Sequence, residues 1–516
     1  MTTLLSAIAS RRRLLKIVGG VALIVLVTAI FSHLFYDDLA PESLKKFTSS
    51  SSSSASVGSS KKYNVKQMHL LIPATSTNHH LCQLMVSAAV MGYPAPVLVN
   101  WDAPEASDAY VQHLMKVEGV LNYLDSLPSS QQDDMIFMLD GFDAWFQLPG
   151  DALMQRYYDV VNRAAQEHLK IFGADLVKKR DIRDTVLFGP DKLCWPLGNE
   201  RPACWAVPDS WLDEHAFGPD TDHGIIEHVR PKWLNSGTIM GPAREMRDVF
   251  AATLEKIHDH HTTDSDQFYF AELWGDQSYQ RSINKLDYDR SHGKDVSDDE
   301  AFLLPPQDKD IPEIKKGQRA EYFIGLDFDS AIWQTIAFYD DYMTWVQQNL
   351  STAYVREGSK TINPYHNFVL PADLTSRAPS INPHGIAQSP LEATDREGDG
   401  ASLQGSETLP EALHSWETLP LAFNTITKTV PPILHFTGKK GYREMWWPRN
   451  WFYPYQEQIL RALRRRGPVK TGPHRESIAG AWTYAGNGTE RGWMDWEGGL
   501  CGQFEEQLQG KEWVGL

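Results

Sequence analysis

Cysteine is scarce: four residues in a chain of 516, which excludes a disulfide scaffold as the main source of stability. Cys194 and Cys204 lie close enough for one bridge in an oxidising compartment, and Cys82 and Cys501 read as buried or free. Excess basic charge is also missing. Lys and Arg number 49 against 66 Asp and Glu, a formal charge of -17. Such a balance repels phosphate backbones, so no nucleic acid is expected as a partner. The chain carries no Gly-x-Ser-x-Gly elbow, no Gly-x-x-x-x-Gly-Lys phosphate loop and no internal repeat. The usual marks of serine hydrolases, P-loop enzymes and solenoids are therefore lacking.

Apolar residues are plentiful at 42%, with 22% charged, enough for a sizeable core. Arg11, Arg12, Arg13 and Lys16 precede an apolar stretch, residues 17–36, that Asp37 and Asp38 stop. It is about long enough to cross a bilayer, and the basic flank places residues 1–16 in the cytosol. No small-x-small cleavage site follows it, so an uncleaved signal anchor is expected rather than a signal peptide. The protein would then be a single-pass type II membrane protein of the Golgi or endoplasmic reticulum. Residues 37–62, almost pure serine over 49–60, read as a stem. Two sequons, at Asn349 and Asn487, are compatible with that lumen.

Beyond the stem, strand-like runs at 68–73, 96–100, 135–139, 169–174, 321–327 and 430–436 alternate with helical spacing at 79–91, 107–126, 151–168, 242–260 and 264–280. This predicts an α/β fold, a single Rossmann-type, mostly parallel sheet with flanking helices. The domain would span 63–371 and 419–516, split by a disordered insertion, 372–418, rich in Ser, Pro, Glu and Gly. Ligands bind such sheets beyond the carboxyl ends of strands, where Asp140, Asp143 and Asp175 are expected.

The sequence Asp140-Gly141-Phe142-Asp143 closes the apolar run 135–139. Two carboxylates at the end of a buried strand are costly unless a cation meets them. A divalent metal suits them, because hard cations take carboxylate oxygens and leave positions open for phosphates; an Asp-Gly turn is the plainer reading. Leu234-Asn235-Ser236-Gly237 lets backbone approach a ligand closely. Asp264-Ser265-Asp266-Gln267 precedes an apolar helix, where Asp also serves as a cap. His435-Phe436-Thr437-Gly438-Lys439 offers a nitrogen ligand and a cation for phosphate. The cluster His258, His260 and His261 fits a helix C-terminus, and Trp446, Trp447 and Trp451 read as core rather than as a sugar platform.

The order of these four segments resembles the glycosyltransferase domain of procollagen lysyl hydroxylases and their collagen galactosyltransferase relatives. Ile171-Phe172-Gly173-Ala174-Asp175 followed by Cys194-Trp195-Pro196 is similar to a further motif of that family. The resemblance implies a GT-A fold, a manganese (or other divalent) ion and a nucleotide-sugar donor. It implies metal ligation by Asp140, Asp143 and His435, a place near the reacting sugar for Asp264 and Asp266, and substrate contacts from Asn235, Gly237, Asp175, Gln267 and Lys439. Thr437 stands where the family has Asn, and no dioxygenase domain follows, so a collagen-lysine acceptor does not carry over. The expectation is a membrane-anchored hexosyltransferase acting on a glycan or protein. A non-catalytic carbohydrate-binding protein and a metal-dependent phosphodiesterase are the alternatives.

Overall fold

A computed structural model describes residues 68–104, 109–260, 265–294, 309–312, 317, 319–348, 369–375, 415–457, 460, 469–471, 474–476 and 480–509. The expected cytosolic tail, the apolar stretch 17–36, the expected stem and the middle of the expected insertion lie outside them. Among the described residues, no helix is long and apolar enough to cross a membrane.

The first part of the chain runs β1 (Met68–Pro73), α1 (His79–Val90), β2 (Val97–Val99), α2 (Ala109–Ser126), β3 (Met135–Leu139), β4 (Ala144–Phe146), α3 (Gly150–Phe172), α4 (Ala174–Arg180), β5 (Val186–Asp191), the short α5 (Pro202–Trp205), β6 (Trp233–Pro242), α6 (Ala243–His260) and α7 (Asp266–Ser291). It continues with β7 (Ile324–Leu326), β8 (Trp333–Thr335), β9 (Met343–Val346), α8 (Ala372–Thr375), β10 (Leu421–Asn424), β11 (Ile433–His435) and α9 (Tyr442–Trp446). Two hairpins, β12 (Val469–Thr471) with β13 (His474–Glu476) and β14 (Gly480–Tyr484) with β15 (Glu490–Asp495), and a last turn α10 (Glu505–Leu508) complete it.

Eight strands form the main sheet in the order β15-β14-β2-β1-β3-β6-β5-β7. The pairings β1–β2, β1–β3, β2–β14 and β5–β7 are parallel; β3–β6, β5–β6 and β14–β15 are antiparallel. β3 is apolar at every position because both its faces are covered. On one face, Val117, Val120 and Leu124 of α2 pack with Met246 and Phe250 of α6 and Phe270 and Trp274 of α7. On the other, Phe137 stacks on Trp333 and meets Phe146 edge-on. These two rings belong to the small sheet β4-β11-β8.

Helix α2 is unbroken despite Gly119. A Cβ there would fall 2.0 Å from Asn100 Oδ1, so the glycine lets the helix lie against the chain that leaves β2.

Three expectations need correction. Residues 169–174 are not a strand. The buried stripe Leu153, Tyr157, Val160, Val161, Ala164 and His168 keeps helical spacing, and nothing breaks it before Gly173, whose φ of +77° ends α3. Segment 233–242, absent from the expected strands, is one. Cys82 and Cys501 are buried, as one alternative had it, but not free: they form a disulfide across 419 residues, alongside the Cys194–Cys204 bridge. The insertion also has ordered borders, with Leu374 and Trp416 buried and Asp373 paired to Arg156.

The Cys82–Cys501 bridge closes nearly the whole domain, so its removal frees the unfolded chain most. Replacing both residues by Ser is expected to lower unfolding free energy by about 2–5 kcal/mol, read from the urea midpoint of the purified domain.

Candidate functional site

Three strands converge beyond the carboxyl end of β3. The chain leaves β3 at Asp140, turns, and enters β4 just after Asp143, passing from the main sheet to the small one. β11 lies beside β4 with His435 opposite Ala144, and Phe436 N donates to Asp143 O at 2.6 Å. β6 completes the group. Its register against β5 jumps from Phe188–Ile239 to Gly189–Asn235, a bulge that aims residues 236–238 at the site. Asp140 N donates to Gly237 O at 2.8 Å.

His435, almost 300 residues downstream, thus places Nε2 3.9 Å from Asp140 Oδ2. Gly237 makes this approach possible. A Cβ on it would sit 2.2 Å from His435 Cε1, 2.6 Å from Nε2 and 2.8 Å from Asp140 Oδ2. Burial drives the His435 pKa down to about 4, against the opposing pull of Asp140 and Asp143. The imidazole is therefore neutral near pH 7, the form that ligates metal. Its Nδ1 has no hydrogen-bond partner among the described residues.

Behind Asp140 stands a buried cation. Lys116 Nζ, on α2, lies 3.1 Å from Asp140 Oδ1, 2.5 Å from Asp266 Oδ2 and 3.5 Å from the Ser236 carbonyl. Burial disfavours its charge, but the two carboxylates outweigh that and raise its pKa. Asp266, in the first turn of α7, is fully buried too. Burial would neutralise it, yet Lys116 and His113, at 3.4 Å, hold its pKa low. Gln267 joins the remaining segments: Oε1 accepts from Ser236 N at 3.3 Å, and Nε2 donates to the Trp195 carbonyl at 2.8 Å.

Two ligands each about 2.1 Å from a shared cation lie roughly 3–4 Å apart, so Asp140 and His435 fit a divalent ion. Asp143 as placed does not share in that pair. Its carboxylate takes Arg443 Nη1 at 2.8 Å and Lys440 Nζ. Among the described residues, no three His, Cys, Asp or Glu side chains form a metal-holding group.

The other expected residues fall as follows. Asn235 Oδ1 accepts from Gly237 N at 3.0 Å and its Nδ2 reaches Asp191 Oδ2 at 3.4 Å. It braces the bulge. Asp175 is not at a strand end: it is exposed in the first turn of α4 and accepts from the Tyr288 hydroxyl. Asp191 ends the strand instead, and burial raises its pKa to about 6. Lys439 is exposed and pairs with Asp340; it is the next residue, Lys440, that meets Asp143. Asp264 lies outside the described residues. Trp446, Trp447 and Trp451 are buried core.

Sequence reasoning passed over Lys116, Asp191, Lys440 and Arg443. Lys116 was the most legible of these: with Val120 and Tyr123 it occupies positions i, i+4 and i+7 of the buried stripe of α2, where an unpaired lysine is not tolerated. Next to Asp191, the Lys192 ammonium sits 3.7, 4.0 and 5.1 Å from the rings of Phe217, Tyr339 and Tyr342. No residue spacing announces that cage.

Gly237→Ala is expected to displace His435 or Asp140 and cost about 1–3 kcal/mol of stability, with any divalent-ion affinity lost; calorimetric titration with manganese reads the second effect. The histidine also sets a pH dependence. Below about pH 6.5 the unfolded chain binds a proton that native His435 refuses until about pH 4, so stability falls as pH drops across that window. Between about pH 7.5 and 4, wild type should lose on the order of 3 kcal/mol more than His435→Gln, measured by urea unfolding at each pH.

No family model and no curated protein matches this chain, so the chemistry of the site itself has to indicate what it does.

Proposed function

We propose that the protein is a metal-dependent glycosyltransferase that moves a sugar from a nucleotide-sugar donor to a glycan or protein acceptor, with its domain in the Golgi or endoplasmic reticulum lumen behind a membrane anchor at 17–36. The observation that carries this reading is the meeting of Asp140 with the buried neutral imidazole of His435 over the space left by Gly237. The motif resemblance supports it independently of the geometry. Pairing of all four cysteines among the described residues favours an oxidising compartment.

Asp140 and His435 would hold the divalent ion. Once bound, it would offset the charge that develops on a departing nucleotide diphosphate. Lys440 and Arg443 place two further cations at the same turn, where they suit phosphate oxygens. Asp266, buried and held ionised by Lys116 and His113, would act on the site by fixing Lys116 beside Asp140 rather than by touching the sugar. Gln267 and Asn235 hold the backbone on which these groups stand.

Asp140→Asn with Asp143→Asn should abolish sugar transfer while far-UV circular dichroism stays native; undiminished turnover would remove the site assignment. A saturating nucleotide sugar with manganese should raise stability by about 2.7 kcal/mol at a hundredfold excess over Kd, read as a thermal shift. Release of nucleotide monophosphate in place of diphosphate would instead mark a phosphodiesterase.

A further inference from the structure

From the last hairpin of the sheet we infer that Asn487 is an N-glycosylation acceptor, modified with a preassembled oligosaccharide in the secretory lumen. This rests on the lumenal location proposed above and not on the catalytic reading.

The tripeptide Asn487-Gly488-Thr489 forms the tip between β14 and β15. The tip backbone is pinned. Ala485 N donates to Thr489 O at 2.9 Å, Gly488 N donates to Ala485 O at 2.9 Å, and Asn122 Nδ2 of α2 donates to Gly486 O at 2.8 Å. Gly488 is in the left-handed region at φ +77°, and a Cβ there would lie 2.6 Å from Asn122 O. The middle residue is thus held against the helix, while Asn487 and Thr489 on either side are exposed. Asn487 Oδ1 accepts from Thr489 N at 3.1 Å, which brings the amide and the hydroxyl residue of the sequon together. The acceptor site is therefore a presented surface turn, the setting such modification requires. The other sequon, at Asn349, lies outside the described residues.

In the reaction, the Asn487 amide nitrogen bonds to the anomeric carbon of a lipid-diphosphate-linked oligosaccharide. The anomeric C–O bond breaks, the lipid diphosphate leaves with its electron pair, and the amide proton passes to a base of the transferring enzyme. The placement has a physical use. β15 is the outermost strand of the sheet, and an outer strand offers unpaired backbone groups to other chains. A glycan at its first turn would cover that edge.

The test uses the full chain made in cultured eukaryotic cells, carrying Asn349→Gln so that Asn487 is the remaining sequon. Peptide N-glycosidase should lower its apparent mass by one glycan. Asn487→Gln and Thr489→Ala should already migrate at the lower mass and not respond, whereas Thr489→Ser should restore the shift. Protease protection of sealed microsomes is measured in parallel. A protected domain with no glycosidase shift overturns the acceptor assignment and leaves the lumenal reading standing; a domain digested in intact microsomes overturns both.

Discussion

A single buried ammonium organises this site. Lys116 sits between Asp140, at the end of a central strand, and Asp266, at the start of a long helix. Without it, the buried carboxylate of Asp266 would lose its closest cation, a costly state away from water. With it, Asp266 is held below the usual carboxylate range, and three elements from distant parts of the sequence are tied to one point. The position of Lys116 depends in turn on Gly119, which lets α2 settle against Asn100. The bulge in β6, the turn after β3 and the first turn of α7 are all arranged around that charge.

The periodic parts of the chain were legible. The runs at 68–73 and 135–139, and the helical blocks at 107–126 and 242–260, signal themselves by local pattern and appear where expected. What local pattern cannot carry is direction and partner. Nothing in Trp233–Pro242 tells that it runs antiparallel between β3 and β5, and residues 169–174 look like a strand until the stripe of the preceding helix is followed through them. Cys82 and Cys501 pair because the last turns of the chain return to α1, a contact with no trace in local sequence.

The site divides along the same line. Asp140, Asn235, Gly237, Asp266, Gln267 and His435 were chosen as short motifs, and the fold gathers them. Asp143 was chosen for its spacing, but its neighbours Lys440 and Arg443 claim its charge. Asp175 belonged to a strand that does not exist. The partners missed, Lys116 and Asp191, matter because burial changes their chemistry, and burial is a property of the folded whole.

The final hairpin has a consequence for how the protein is made. β14 pairs alongside β2, and Cys501 bonds to a helix near the start of the domain. At about 5–20 residues per second, the ribosome needs roughly 20–80 s to synthesise the 419 residues that separate the two sulfurs. Throughout that interval β2 is an open margin on an unfinished sheet. The order of the strands therefore leaves β2 without its neighbour until the chain is nearly finished, and a chain terminated a few dozen residues early would keep that margin permanently.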